Sequence, residues 1–213
     1  MTDDYSALSA VYDRFNGDLD YEGWADYLAG EIRAHADIPV KLVLDLCCGT
    51  GCVGLAILKH VSDEIHGVFA DLSEPALEVA RHNITALHLT GRALAFQADA
   101  AKPADPVLGR FQLIVCNPPY IPTEEIPTLD IEVQKEPHMA LDGGADGLDF
   151  YRAVSRNYAP ALTSGGTLAF EVGLGQFEAV MAILEQAGYS KVQYFCDLAG
   201  VERVVTGCWE QGL

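Results

Sequence analysis

From Val40 onward, short apolar runs alternate with stretches of helical rhythm, and this alternation most limits what the chain can fold into. Lys41–Leu46, His66–Ala70, Ala93–Gln97, Phe111–Cys116, Thr167–Val172, Val192–Cys196 and Glu202–Cys208 read as strands. Cys52–His60, Pro75–Leu87, Leu148–Leu162 and Gln176–Ala187 read as helices. Strand, helix, strand, helix at this spacing predicts an α/β fold, a mostly parallel sheet with helices on both faces. Only Asp197–Val201 separates the last two strands, too little for a right-handed crossover, so they are expected to pair antiparallel.

Two segments stand outside that rhythm. Residues 1–38 form an expected short helical N-terminal cap, in which Asp20 can cap a helix bearing Tyr21, Trp24, Ala25, Leu28 and Ile32 on one face. Residues 39–213 then form the ligand-binding domain. Within it, Asn117–Asp146 lacks periodicity and carries five prolines. Such a loop in a compact domain is more often a binding or active-site element than a passive connection, and it leaves the strand end where open α/β sheets bind ligands.

Charge narrows the partners. The formal net charge is −18, and the 13 Lys and Arg residues form no run. Nucleic-acid affinity comes largely from basic side chains neutralising phosphates, so a protein or small-molecule partner is favoured over nucleic acid. No apolar run reaches the roughly 20 residues a membrane helix needs. The opening Met1–Tyr5 is acidic and has no secretory character, so a cytoplasmic protein without membrane contact is expected. Three of the six cysteines, Cys47, Cys48 and Cys52, crowd together, but no C-x-x-C pair or spaced histidines accompany them. They read as reduced thiols around a turn, with no metal implied.

That turn is the first chemical signal. Val43-Leu44-Asp45-Leu46-Cys47-Cys48-Gly49-Thr50-Gly51 is a buried strand ending in small residues that open a helix. Gly49 and Gly51 permit close backbone approach, and Asp45 can accept from a ligand's ammonium group. A dinucleotide site would carry G-x-G-x-x-G, but here Cys47 takes the first glycine position and the acid precedes the turn. A cationic ligand fits better than a pyrophosphate. Asp71, followed by Leu72, ends the second strand and can take both ribose hydroxyls. Asp99, followed by Ala100, ends the third and can meet the exocyclic amine of adenine. Each alone is ordinary, because strand-ending aspartates often cap helices. Three consecutive strand ends each offering an acid point to an adenosine-type ligand.

The second signal is sharper. Phe111–Cys116 runs directly into Asn117-Pro118-Pro119-Tyr120. The prolines keep the backbone extended and without N–H donors, so its carbonyls are free for a ligand. The Asn117 side-chain oxygen and the Pro118 carbonyl can accept both hydrogens of a planar NH2 group, and Tyr120 offers a flat face for it. The plainer reading is that Asn-Pro-Pro only turns the chain at a strand end.

Together these features resemble the class I S-adenosylmethionine-dependent methyltransferases, which implies a Rossmann-like, seven-stranded sheet with an antiparallel last strand. The resemblance places Asp45 near the methionine ammonium, Asp71 on the ribose, Asp99 and Ala100 beside the adenine, and the turn residues Cys47, Gly49, Thr50 and Gly51 around the cofactor. Residues 40–208 further resemble the HemK/PrmC release-factor glutamine methyltransferases, through Ile131–Arg152, Ala169–Gln176 and Asp197–Val205 beside the Asn-Pro-Pro-Tyr motif. That resemblance implies methyl transfer to the glutamine amide of a Gly-Gly-Gln tripeptide in a peptide-chain release factor, leaving S-adenosylhomocysteine. Only residues 1–38 precede the sheet, so the family's full N-terminal helical domain is not expected in this sequence. Tyr12–Asn16 and Asp20–Ala25 look instead like the opening of small methyltransferases. Alternatives are an adenine-N6 or guanine-N2 nucleic-acid methyltransferase, a small-molecule methyltransferase, or a cofactor-binding protein without catalysis.

Overall fold

The computed structural model describes residues 38–60, 63–197 and 199–210. The cap expected over residues 1–38 therefore lies, except for Ile38, outside the described residues. The element order is β1 (Leu42–Leu46), α1 (Cys52–His60), β2 (His66–Asp71), α2 (Glu74–Ala86), β3 (Ala93–Gln97), β4 (Phe111–Cys116), α3 (His138–Leu141), α4 (Asp149–Asn157), β5 (Leu162–Glu171), α5 (Phe177–Ala187), β6 (Ser190–Cys196) and β7 (Glu202–Trp209).

The strands form one seven-stranded sheet in the order β3-β2-β1-β4-β5-β7-β6. β1 pairs parallel with both β2 and β4, so the chain order reverses between β1 and β4. The open crevice for a ligand lies at such a reversal, outside the carboxyl ends of the strands. β7 inserts between β5 and β6 and runs antiparallel to both, as the short 197–201 connection requires.

Both sheet faces are covered, and strand alternation decides which residue goes where. In β2, Val68 and Ala70 join the large core that includes Leu44, Phe111, Tyr151, Phe170 and Leu184. Phe69, between them, joins a second core with Leu55, Leu58, Leu77, Ile84 and Leu89. α2 buries Ala76, Leu77, Ala80 and Ile84, one stripe at helical spacing, and starts where the Ser73 hydroxyl accepts from the Ala76 N–H (3.4 Å).

The largest departure from the expected boundaries lies between α4 and β5. The helix predicted over Leu148–Leu162 ends at Asn157, and a 3-10 turn at Ala159–Ala161 leads into β5 at Leu162 rather than Thr167. Pro160 lacks the N–H that would continue the α-helix, and the pairing with β4 resumes after a register shift between Phe111 and Leu113. Among the described residues no helix is long and apolar enough to cross a membrane.

Candidate active site

β1 delivers Asp45 to the base of the turn. The side chain is buried (3% exposed), and its Oδ2 accepts from the Gly54 N–H in α1 at 2.8 Å. That approach needs Gly54, since a Cβ there would sit 2.7 Å from Asp45 Oδ2 and 2.6 Å from the Phe69 ring. Asp45 Oδ1 makes no hydrogen bond among the described residues. Burial pushes the Asp45 carboxyl up to about 7, the Gly54 N–H opposing and the Asp71 charge adding.

The turn itself is tightly wound. Cys47, Gly49 and Gly51 all have positive φ (57°, 54° and 87°). For Cys47 this left-handed geometry costs about 1–2 kcal/mol, a strain that persists only where surrounding structure enforces it. The enforcement is visible. Asp71 Oδ2 accepts from the Gly49 N–H (2.8 Å), the Cys48 N–H donates to the Ala70 carbonyl (3.1 Å), and Asn83 Nδ2 donates to the Thr50 carbonyl (3.0 Å). Asp71 Oδ1 accepts from the Ser73 N–H at 2.8 Å. Asp71, predicted as a ribose ligand, thus also pins the first turn to the second strand. The sequence does not mark Asn83 as a loop anchor, because nothing local distinguishes a helical asparagine in that role.

At the third strand end, Asp99 Oδ1 accepts from the Ala101 N–H (3.0 Å) and Oδ2 pairs with Lys102 Nζ (3.1 Å). Ala100 is buried beside it, and Leu72 stands 48% exposed after Asp71. The structure brings Asp45 and Asp71 together around the turn at Cys47–Gly51, whereas Asp99 already has partners of its own. None of the six cysteines forms a disulfide among the described residues, and burial raises Cys48 and Cys116 above the ordinary thiol value.

β4 ends one strand away from this turn, with Leu46 and Cys116 in register. The next residue, Asn117, is exposed, while Pro118 and Pro119 are buried and Tyr120 is partly so. The Asn117 side chain makes no hydrogen bond among the described residues. The loop beyond folds back on the motif. The Ile121 N–H donates to the Leu141 carbonyl (3.0 Å), Gly143 to Ile121 (2.9 Å) and Thr123 to Gly144 (2.9 Å), with one parallel bridge between Ile121 and Asp142. Gly143 is required by close approach, as its Cβ would lie 2.7 Å from Tyr120 Cα.

Behind the loop stands Gln176, whose Nε2 donates to the Tyr120 carbonyl (2.9 Å) and whose Oε1 accepts from the Gly173 N–H (3.1 Å). The Tyr151 hydroxyl donates to the Glu171 carbonyl (3.0 Å) and lies 3.4 Å from Gln176 Oε1. Burial, with Glu171 adding, lifts the Tyr120 phenol above its usual value, so it stays protonated at neutral pH. Burial likewise raises the carboxyls of Glu171 and Glu136, with Arg203 opposing at Glu171. The signal that could have found Gln176 was positional: a polar residue in a Gly-x-Gly-Gln turn at the end of the strand beside β4.

The sheet order with its reversal at β1/β4 and the acid-lined turn define a class I methyltransferase fold, which solved structures share. DesVI of Streptomyces venezuelae aligns with TM-score 0.62 at 17% identity, covering 94% of this chain and 97% of that one. The hMettl16 catalytic domain aligns with TM-score 0.66 at 13% identity, covering 92% and 71%. Residues 27–133 match the family described as methyltransferase small domain, and the chain belongs to that family. It is also similar to the release factor glutamine methyltransferases of Cereibacter sphaeroides (41% identity, 83% of this chain and 63% of that protein) and Rhodospirillum rubrum (43%, 76% and 49%). The chain thus spans only 49–63% of the length of these curated relatives.

Proposed function

We propose that the chain is an S-adenosylmethionine-dependent N-methyltransferase whose acceptor is the glutamine amide of a Gly-Gly-Gln segment in a peptide-chain release factor, acting in the cytoplasm. The observation that carries the reading is an exposed Asn117 side chain, without a hydrogen bond among the described residues, one strand away from an acid-lined turn. Proteins similar over most of this chain bear the name release factor glutamine methyltransferase.

The residues fit the cofactor. Asp45 keeps one oxygen without a hydrogen bond among the described residues, which suits it to accept from an ammonium group. Asp71 retains lone pairs for two ribose hydroxyls beyond the two N–H groups it holds. Cys47, Gly49, Thr50 and Gly51 line the turn, and the exposed Leu72 with Ala100 and Asp99 flanks the adenine. When bound, S-adenosylmethionine supplies an electrophilic sulfonium methyl.

The chain's own part is orientation and electrostatics. An amide nitrogen is a poor nucleophile because its lone pair is delocalised. Asn117 Oδ1 and the Pro118 carbonyl each accept one amide hydrogen, which turns the nitrogen toward the methyl and disperses the positive charge that grows on it. Tyr120, kept neutral, stacks on the amide plane. The N–C bond forms as the S–C bond breaks, and the nitrogen then releases one proton to solvent.

The test is transfer of labelled methyl from S-adenosylmethionine to purified release factor, beside DNA and ribosomal RNA. Label on the release factor, lost when its Gly-Gly-Gln glutamine is changed, is expected. Label on nucleic acid alone would overturn the protein substrate and leave the nitrogen chemistry standing. Cofactor binding without transfer to any acceptor would favour a non-catalytic role.

A further inference from the structure

We propose that Gln176 is a positioning residue: its side-chain amide clamps the Tyr120 carbonyl and thereby sets the angle at which Asn117 and Pro118 present their acceptors. The inference rests on the acceptor role given to Asn117–Tyr120.

Three observations carry it. The amide is wired in one orientation. The Tyr120 carbonyl can only accept and the Gly173 N–H can only donate, so Nε2 must face Tyr120 (2.9 Å) and Oε1 must face Gly173 (3.1 Å). Space is carved for it. A Cβ on Gly147 would collide with the Tyr120 carbonyl and come within 2.7 Å of Gln176 Nε2. One on Gly173 would lie 2.7 Å from Gln176 Oε1 and 2.9 Å from Tyr120 Cδ2. The anchor is rigid, because the nearby Tyr151 is fully buried edge-on against Phe170, centroids 5.1 Å apart.

The clamp reaches the acceptors because the intervening chain is stiff. Prolines at 118 and 119 fix φ, and the peptide units are planar, so few torsions separate the Tyr120 carbonyl from the Pro118 carbonyl. Without the clamp those torsions relax together. A misplacement of about 1 Å at a reacting centre can cost on the order of 100-fold in rate.

Gln176→Glu isolates the donation. The carboxylate still accepts from Gly173 but has no proton to give Tyr120. We expect kcat for transfer to the release factor to fall about 10- to 100-fold, with cofactor affinity and melting temperature close to wild type. Amide hydrogen exchange at Ile121 and Gly143, whose N–H groups tie the loop, is expected to quicken. Of the titratable groups, Tyr151 and Tyr120 meet Gln176; Cys116 and Glu171 act on Tyr151, Glu171, Arg203 and Glu136 on Tyr120, and Arg203 on Glu171. As falling pH protonates the new carboxyl, its O–H can donate to Tyr120, and the ratio of variant to wild-type rate should recover. Gln176→Leu, similar in size but without polar atoms, should lose rate and show no such recovery. Wild-type kcat and exchange in Gln176→Glu would overturn the clamp, as would a loss shared equally by melting temperature, cofactor affinity and rate. If wild type labels no release factor, the acceptor assignment fails separately, and the exchange rates of Ile121 and Gly143 still decide the clamp.

Discussion

Around the turn after β1 the chain offers buried or tethered carboxylates; around Asn117, one strand over, it offers neutral acceptors. On the proposed function, the contrast follows the charge of what each side would hold. A carboxylate suits a cationic ammonium and ribose hydroxyls, whereas a neutral amide nitrogen must be aimed without being trapped as an ion. The two sides also differ in how they are braced. Asp45 is tied to Gly54 and Asp71 to Gly49, 9 and 22 residues away, whereas Tyr120 is tied to Gln176 across 56. The proposed cofactor side is assembled from neighbouring strand–turn units, and the proposed acceptor side from segments that only the finished sheet brings together.

The strongest way to break this division is Asn117→Ala. It should lower kcat about 100- to 1000-fold while leaving cofactor affinity within a few-fold, as read by single-turnover transfer and calorimetry. An equal loss of cofactor binding would erase the boundary between the sides. Asp71→Ala should do the reverse. Removing a charged acceptor that also holds Gly49 and Ser73 should weaken the cofactor by about 10- to 100-fold, with saturating kcat much less affected.

Asp45 sharpens the comparison through pH. Its folded-state carboxyl sits at about 7, above its ordinary 3.8, so the free protein holds a proton there that the unfolded chain has lost. Its contribution to stability therefore falls as pH rises from about 4 to about 7, and is flat above. An ammonium ligand favours the carboxylate, so binding expels that proton. Cofactor affinity should climb by about tenfold between pH 6 and 8, apart from any loss of charge on the ligand itself, and calorimetry in buffers of different ionisation enthalpy should register proton release. Asp45→Asn should abolish both. The smallest effect belongs to Lys102→Ala. Its side chain is 76% exposed beside Asp99, and an exposed ion pair is worth at most about 1 kcal/mol, so cofactor affinity should move less than about fivefold. A larger shift would make that pair part of the cofactor site.

The order of strands and helices, the antiparallel final pair, the three strand-end acids and the Asn-Pro-Pro-Tyr motif were all legible along the chain. Each is written within a few consecutive residues, as a two-residue strand rhythm, a glycine turn or a proline pair. The end of α4 was misplaced because a helical rhythm continues through Tyr158–Ala161, while Pro160 and pairing of Leu162 with Phe111 decide otherwise. The left-handed Cys47, the second task of Asp71, the Asn83 anchor and the Gln176 contact with Tyr120 came only from the tertiary structure. Each depends on a distance between segments far apart in sequence, and residue order alone carries no such distance; the parallel sheet, by setting β4 between β1 and β5, creates it.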